Sequence, residues 1–98
     1  MEDIGEIVKR ANLRDSDSIA ETKERIREII TTKADYVRDL ARLCEQNAEV
    51  MLSALEHNDF ATAGRMCEIL LREANNLITK GVVLRRDIEK AEHFWEAF

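Results

Sequence analysis

Histidine is the residue type most often used for general acid and base chemistry, and this chain of 98 residues contains His57 and His93. Neither histidine stands beside a plausible nucleophile. A di-metal carboxylate bundle requires Glu-x-x-His on two helices, whereas Ala54 and Lys90 occupy the positions three residues before the two histidines. The histidines therefore predict neither a catalytic base nor a di-metal site.

Two glutamates are the best remaining candidates for metal chemistry. Glu21 and Glu24 have the Glu-x-x-Glu spacing with which all-α nucleotide hydrolases hold Mg²⁺ against a phosphate. The complementary Glu-x-x-Asp is missing from the segment that comes after them, and a solvated helix face explains the pair better. A small all-α metal-dependent hydrolase or mutase assembled across a dimer, using Glu21, Glu24 and His93, is therefore the alternative interpretation of function.

Glycine and cysteine give no sign of a bound cofactor or metal. Gly5, Gly64 and Gly81 stand singly within helical patterns, which excludes a phosphate-binding loop and a dinucleotide-binding fingerprint. Cys44 and Cys67 are widely separated and lack a Cys-x-x-Cys spacing, so they form neither a disulfide framework nor a zinc signature. We expect no cofactor, and we expect both cysteines to be small core residues.

The charge balance disfavours nucleic acid as the partner. Twenty acidic residues against 15 basic ones give a formal net charge of −5, and the arginines are interleaved with acidic residues rather than clustered. A nucleic-acid-binding regulator is therefore the third interpretation of function. No window resembles a membrane span, and Glu2 and Asp3 stand where a signal peptide would carry basic residues. The sequence predicts no membrane association and a cytoplasmic location.

The composition predicts an all-α protein. The chain has no proline and three glycines, and 36% of its residues are charged and 45% hydrophobic, a mixture typical of long amphipathic helices. The apolar spacing predicts a short helix over 3–12 and two long antiparallel helices over 18–57 and 59–98. Together they form a single helical domain over 1–98.

Local signals mark where the long helices begin and where the chain reverses. Ser18 and Glu21 have the spacing of a capping box, which predicts the start of the first long helix. His57, Asn58 and Asp59 predict a turn, because Asn and Asp readily bond the local backbone, and Asp59 is the expected N-cap of the second long helix.

Steps of three, four or seven residues predict the seam along which the two long helices pack. On the first helix the seam passes through Ile19, Ile26, Ile30, Val37, Leu40, Cys44, Met51 and Ala54, with polar Lys33 and Asn47 among them. On the second helix it passes through Phe60, Ala63, Cys67, Leu70, Ala74, Leu77, Gly81, Leu84, Ile88, Ala91, Trp95 and Phe98. We expect Asn47 to set the alignment of the helices and Lys33 to extend to water.

A compact four-helix bundle remains an alternative fold. The segments around Thr32 and Gly81 have the weakest helix propensity of the two long stretches. Breaks at both places would divide the hairpin into four shorter helices. The apolar repeat continues across Gly81, which favours the uninterrupted hairpin.

Apolar residues beside the seam predict a surface for a protein partner. Ile29, Tyr36, Leu43 and Val50 recur every seven residues, and the short helix can cover only the end of the hairpin that carries Trp95. Large apolar surfaces of this kind mark interfaces. We predict a non-enzymatic protein–protein interaction module that forms a homomeric or heteromeric helical bundle. The predicted partner-binding residues are Ile29, Tyr36, Leu43, Val50, Met66, Leu71, Ile78 and Phe94.

One segment has a loose family resemblance. The pattern Leu52-x-x-Leu55-x-x-x-Asp59-Phe60-x-x-Ala63 resembles the helical hairpins in C-terminal domains of J-type co-chaperones and in small secretion chaperones. The resemblance implies an antiparallel hairpin. A chain without proline lacks the His-Pro-Asp tripeptide of the J-domain, so neither a function nor residue roles are carried over.

Overall fold

The computed structural model describes residues 3–98, which form three helices and no strand. Helix α1 spans Ile4–Arg10, α2 spans Ser16–Glu56 and α3 spans Phe60–Ala97. The predicted fold, an all-α antiparallel hairpin of two long helices with a short N-terminal helix, is confirmed.

Aspartates rather than the predicted serine cap the first two helices. The Asp3 carboxylate accepts a hydrogen bond from the Gly5 N–H at the start of α1. The Asp15 carboxylate accepts from the Asp17 N–H, at 3.1 Å, and α2 therefore begins before Ser18. The predicted capping box is wrong, because Ser18 lies inside the helix and an aspartate three residues earlier bonds the free N–H groups first.

The predicted turn between α2 and α3 is confirmed. Asn58 has a φ of 56°, a left-handed conformation that asparagine adopts more readily than most residues. The Asp59 carboxylate accepts a hydrogen bond from the Thr62 N–H at 3.1 Å and so caps α3. A hydrogen bond from the Thr62 side chain, together with the bond from the Thr62 N–H, holds the pKa of Asp59 below its ordinary value.

Both long helices continue through the segments of weak propensity, so the four-helix alternative with breaks near Thr32 and Gly81 is wrong. The Thr32 hydroxyl donates to the Glu28 carbonyl and the Thr79 hydroxyl to the Asn75 carbonyl, each at 3.0 Å. These threonines bond their own helix rather than starting a new one, because tertiary packing outweighs a propensity difference of a few tenths of a kcal/mol per residue.

Contacts divide the chain into two compact units. Unit 1 contains the described residues up to Ala34 together with Val82–Phe98, and unit 2 contains Asp35–Gly81. Each unit therefore includes one stretch of α2 and one stretch of α3, and unit 1 also includes α1.

The core of unit 1 is built from all three helices. Ile4 and Ile7 of α1 pack with Ile26 of α2 and Phe94 of α3, and all four are buried. Val8, Ile19, Ile29, Ile30 and Ala91 pack around this cluster. Helix α1 thus packs through one of its sides, which buries two isoleucines three residues apart.

A buried ion pair adjoins this core. The Lys33 ammonium on α2 donates to the Asp87 carboxylate on α3, and both side chains are largely buried. Lys33 therefore pairs across the seam, whereas the sequence predicted that it would extend to water.

The seam of α2 is as predicted, but the seam of α3 is shifted by one residue at several positions. Every predicted seam residue of α2, including Lys33 and Asn47, is buried or half-buried. On α3, Asp87 and Phe94 are buried where Ile88 and Trp95 were expected. The other predicted α3 seam residues that are exposed are Phe60, Cys67 and Phe98.

The reason for the shift lies in the neighbours of α3. Steps of three and of four residues lead to adjacent positions on a helix, so a repeat alone does not choose between Phe94 and Trp95. Ile4 and Ile7 pack on the Phe94 side, and Lys33 provides a partner for Asp87. A charged residue with a buried partner therefore takes the seam position that apolar Ile88 was predicted to fill.

Unit 2 has a core of fewer and smaller buried residues than unit 1. Its buried apolar residues are Leu40 and Ala54 on α2 and Ala63 on α3, two of which are alanines. Nine large apolar side chains of the same unit are exposed: Tyr36, Leu43, Val50, Leu52, Leu55, Phe60, Ile69, Leu71 and Ile78. Two helices alone do not cover the apolar residues that this stretch carries.

Candidate apolar interaction surfaces

The side chains considered for metal chemistry do not form a common site. Glu24 pairs with Arg27 one helical turn away, which holds the pKa of Glu24 below its ordinary value. Glu21 lines a separate shallow cleft beside α1, and His93 is exposed on α3. In the part of the chain that the structure describes, no group of three His, Cys, Asp or Glu side chains is placed to hold a metal ion.

The structure places the predicted partner-binding residues in different environments. Tyr36, Leu43, Val50, Leu71 and Ile78 are exposed, and Met66 is half-buried. Ile29 is half-buried against the core of unit 1. Phe94 is 4% exposed, and Trp95 beside it is 42% exposed. The expectation that Phe94 projects outward while Trp95 and Phe98 point inward is therefore wrong.

Three of the exposed residues form what we call the Leu43 row: Tyr36, Leu43 and Val50 on α2. Residues seven apart lie on nearly the same side of a helix. Val50 shares a shallow cleft with Thr62 of α3, which shows the side of unit 2 on which the row lies. Ile69 stands seven residues after Thr62 and belongs to the same side.

Leu71 and Ile78 lie on the opposite side of unit 2. Leu71 is two residues beyond Ile69, a rotation of about 200° around α3. Leu52 is likewise two residues beyond Val50 on α2. The exposed apolar residues on this side, which we call the Leu71 face, are Leu52, Leu55, Phe60, Leu71 and Ile78. The predicted partner-binding set is therefore divided between two sides.

This division was not predicted from the sequence, for a specific reason. Leu71 and Ile78 were grouped with the Leu43 row because all of them flank the predicted seam. A residue that flanks a seam lies on one edge or the other, and the seam of α3 was placed partly one residue too far along the chain. The angle around α3 separates the two sides, since Leu71 and Ile78 lie about 160–200° from Thr62 and Ile69.

Unit 1 contains a third apolar surface, between α2 and α3. Ile26 and Ile30 line an open groove of about 280 Å³ with Ile88, Ala91 and Trp95. No residue of α1 lines it. The Lys23 ammonium lies 5.6 Å from the centroid of the Trp95 ring, a cation–π contact at the edge of the groove. The groove was not predicted, because Trp95 and Ile88 were expected in the seam.

Comparison with known proteins identifies no relative of this chain: no protein-family model, curated protein or solved structure matches it. Among the described residues, no helix is both long and apolar enough to cross a membrane.

Proposed function

We propose that the chain is a protein–protein interaction module that packs unit 2 against further helices to form a helical bundle. One observation carries the proposal: within unit 2, nine large apolar side chains are exposed around a buried core of Leu40, Ala54 and Ala63. Contiguous apolar surface of more than a few hundred Å² is rare on monomeric proteins and marks sites of association.

The stretch of α2 that packs with α1 in unit 1 supports the same proposal. Ile29 stands seven residues before Tyr36, and α1 packs into the core that Ile29 borders in unit 1. Tyr36, Leu43 and Val50 continue the heptad spacing without a third helix over them in unit 2. An amphipathic helix with aliphatic residues three and four apart, as in α1, has the chemistry required to cover such a row.

The amount of exposed surface agrees with association. The chain exposes 7062 Å². A compact monomeric protein of 11.3 kDa exposes about 5,700 Å², so the excess is about 1,300 Å². Burying apolar area releases about 25 cal/mol per Å², which favours docking before the entropic cost of association is subtracted.

The experiment compares partners recovered with matched variants of the full chain. Leu43→Asp and Leu71→Asp each place a charge in an exposed apolar surface, whereas Gln46→Asp places the same charge at an exposed polar position. Chains cross-linked in the source cells should be recovered with wild type and Gln46→Asp and lost with at least one leucine variant. Recovery of the same chains with all four proteins, at equal yield, would refute the proposal.

A further inference from the structure

The most exposed large apolar residues of the described chain all belong to α3 of unit 2. Phe60 is 69% exposed, Ile78 63% and Leu71 61%. They are part of a repeat with steps of four and three that we call the α3 stripe: Phe60, Gly64, Cys67, Leu71, Ala74 and Ile78. This spacing keeps residues on one side of a helix and is the spacing with which helices pair along their length. None of the six residues is charged.

We propose that a second copy of the chain docks on the α3 stripe, with the two α3 helices antiparallel around a two-fold axis level with residue 69. This inference rests on the proposed function, because it names the partner of the Leu71 face. A two-fold interface uses the same patch on both copies, so the patch must be complementary to itself.

The α3 stripe meets that requirement. The antiparallel alignment places Phe60 opposite the second copy's Ile78, and Cys67 opposite the second copy's Leu71. Gly64 then lies opposite the second copy's Ala74. Cys67 and Leu71 thus pack at the centre, the small residues Gly64 and Ala74 meet on either side of it, and the bulky Phe60–Ile78 pairs lie at the two ends.

Gly64 is placed to allow close contact between the helices. A Cβ built at Gly64 would have no neighbouring atom within 4 Å, so the backbone there is open to solvent. Nothing within the chain requires a glycine at this helical position, which costs stability relative to alanine. Close approach by another helix is a physical reason for its presence.

Charges along the edge of the α3 stripe also favour antiparallel pairing. Glu68 and Arg72 are exposed and lie on the same edge, away from α2. Neither forms an ion pair within the described chain. In the antiparallel alignment each Glu68 is offset from the other copy's Arg72 by about 3 Å along the helix axis, and two-fold symmetry creates this pair twice. In a parallel two-fold pair this edge would instead face the opposite edge of the other helix, so Glu68 would not meet the second copy's Arg72.

The α3 stripe and its apolar neighbours on α2 provide the surface for a dimer interface. From Phe60 to Ile78 the α3 stripe is about 27 Å long at 1.5 Å per residue. Leu52 and Leu55 of α2 lie on the same side of unit 2 and widen the apolar surface. A standard interface buries about 800 Å² per partner. To approach this size, the interface has to bury Leu52 and Leu55 together with the α3 stripe.

Cross-linking through the native thiol tests the alignment. In the proposed dimer the two Cys67 residues are offset by about 6 Å along helices whose axes are 8–10 Å apart, roughly within reach of a short bismaleimide. The Cys44→Ser chain, which keeps exposed Cys67, should form covalent dimers. The Cys67→Ser chain should not, although it keeps half-buried Cys44. Absence of dimers from the Cys44→Ser chain would overturn the alignment.

Sedimentation equilibrium of the purified full chain tests the surface and the charge pairs. The wild type should be a dimer at micromolar concentration, and Leu71→Asp should weaken association by about 100-fold or more. Glu68→Arg and Arg72→Glu should each weaken it by about three- to tenfold, and the double variant should restore it. Glu49→Arg, an equal charge change at an exposed position on α2, should have little effect.

The outcomes separate this inference from the proposed function. Two results would overturn docking of a second copy on the α3 stripe. One is a wild type that stays monomeric at about 100 times the micromolar concentration. The other is a dimer that Leu43→Asp disrupts and Leu71→Asp does not. If the purified chain is a monomer while a different chain is recovered from cells in a Leu71-dependent manner, the proposed function stands and only the self-partner is wrong. Circular dichroism verifies that each variant remains helical.

Discussion

Unit 1 and unit 2 are built from the same two long helices, yet they differ in what covers those helices. In unit 1, α1 adds Ile4 and Ile7 to a core that contains Ile26 and Phe94. In unit 2 no third helix is present, and most of the large apolar residues are exposed. The comparison shows that a pair of amphipathic helices with apolar residues on both edges of its seam needs a third element to complete its core.

The two units also differ in the polar residues at their seams. Unit 1 buries Lys33 and Asp87 as an ion pair that joins α2 to α3. Unit 2 has Asn47 at a half-buried seam position. A buried charge is costly without its partner, whereas a half-buried amide keeps access to water. We therefore expect that replacing a polar seam residue lowers the free energy of unfolding more in unit 1 than in unit 2.

The largest effect is expected from Phe94→Ala. Phe94 is buried in the three-helix core, so its loss should lower the free energy of unfolding by about 3–5 kcal/mol. Trp95→Ala, one residue away but exposed, should lower it by about 1 kcal/mol or less. Denaturant unfolding followed by circular dichroism measures both. A larger loss for Trp95→Ala would reverse the assignment of the core.

Leu40→Ala is the matched variant in unit 2. Leu40 is the only large residue buried in unit 2. Few other buried side chains surround it, so its replacement should lower the free energy of unfolding by only about 2 kcal/mol. If Leu40→Ala cost as much as Phe94→Ala in the same assay, unit 2 would not be the more weakly packed region and the comparison would fail.

The next largest effect concerns the ion pair. Lys33→Met leaves the buried Asp87 carboxylate without its partner and should lower the free energy of unfolding by about 3 kcal/mol. Replacing both residues, as Lys33→Met with Asp87→Leu, should recover most of this loss, since no buried charge then remains. Thermal unfolding of the two variants provides the measurement. A double variant as unstable as the single one would show that the pair itself stabilises the seam.

A smaller effect of opposite sign is expected at Asn47. Asn47→Leu places an apolar side chain at a half-buried seam position of unit 2 and should raise the free energy of unfolding by about 1 kcal/mol. We also expect the variant to populate more than one oligomeric state, which sedimentation velocity detects. Reduced stability with a single oligomeric state would contradict a role of Asn47 in alignment.

The smallest effect is expected at the cap of α3. The pKa of Asp59 is lowered because its ionised carboxylate accepts hydrogen bonds from Thr62. Its stabilising contribution is therefore complete above the ordinary value of 3.8 and is lost as the pH falls through the lowered pKa. Asp59→Ala should slightly lower the melting temperature at neutral pH, and the difference from wild type should shrink below pH 3.8. A difference that does not change with pH would mean that charge has no part in the cap.

Local sequence signals were sufficient for much of the fold. The seam of α2 from Ile19 to Ala54 was predicted correctly, because its steps of three, four and seven residues stay on one side of the helix. The turn at Asn58 and the cap at Asp59 were also predicted, because an aspartate before a helix bonds the nearest free N–H groups. These interactions join residues only a few positions apart.

The candidate surfaces were predicted only in part. The exposure of Tyr36, Leu43 and Val50 results from their heptad spacing beside a seam that was correctly placed. The α3 stripe was not predicted from the sequence, because Phe60 and Cys67 had been assigned to the seam. An α3 with apolar residues on several sides satisfies more than one seam equally well.

Composition and spacing alone determined that this chain is all-α and reverses at Asn58, and they favoured a hairpin of two long helices, since the apolar repeat and the turn residues depend only on near neighbours in the sequence. The tertiary structure decided which side of α3 is buried. That choice depends on α1 packing against Phe94 and on Lys33 meeting Asp87 across the seam. Both contacts join residues far apart in the chain, and helical periodicity carries no information about which distant residues meet.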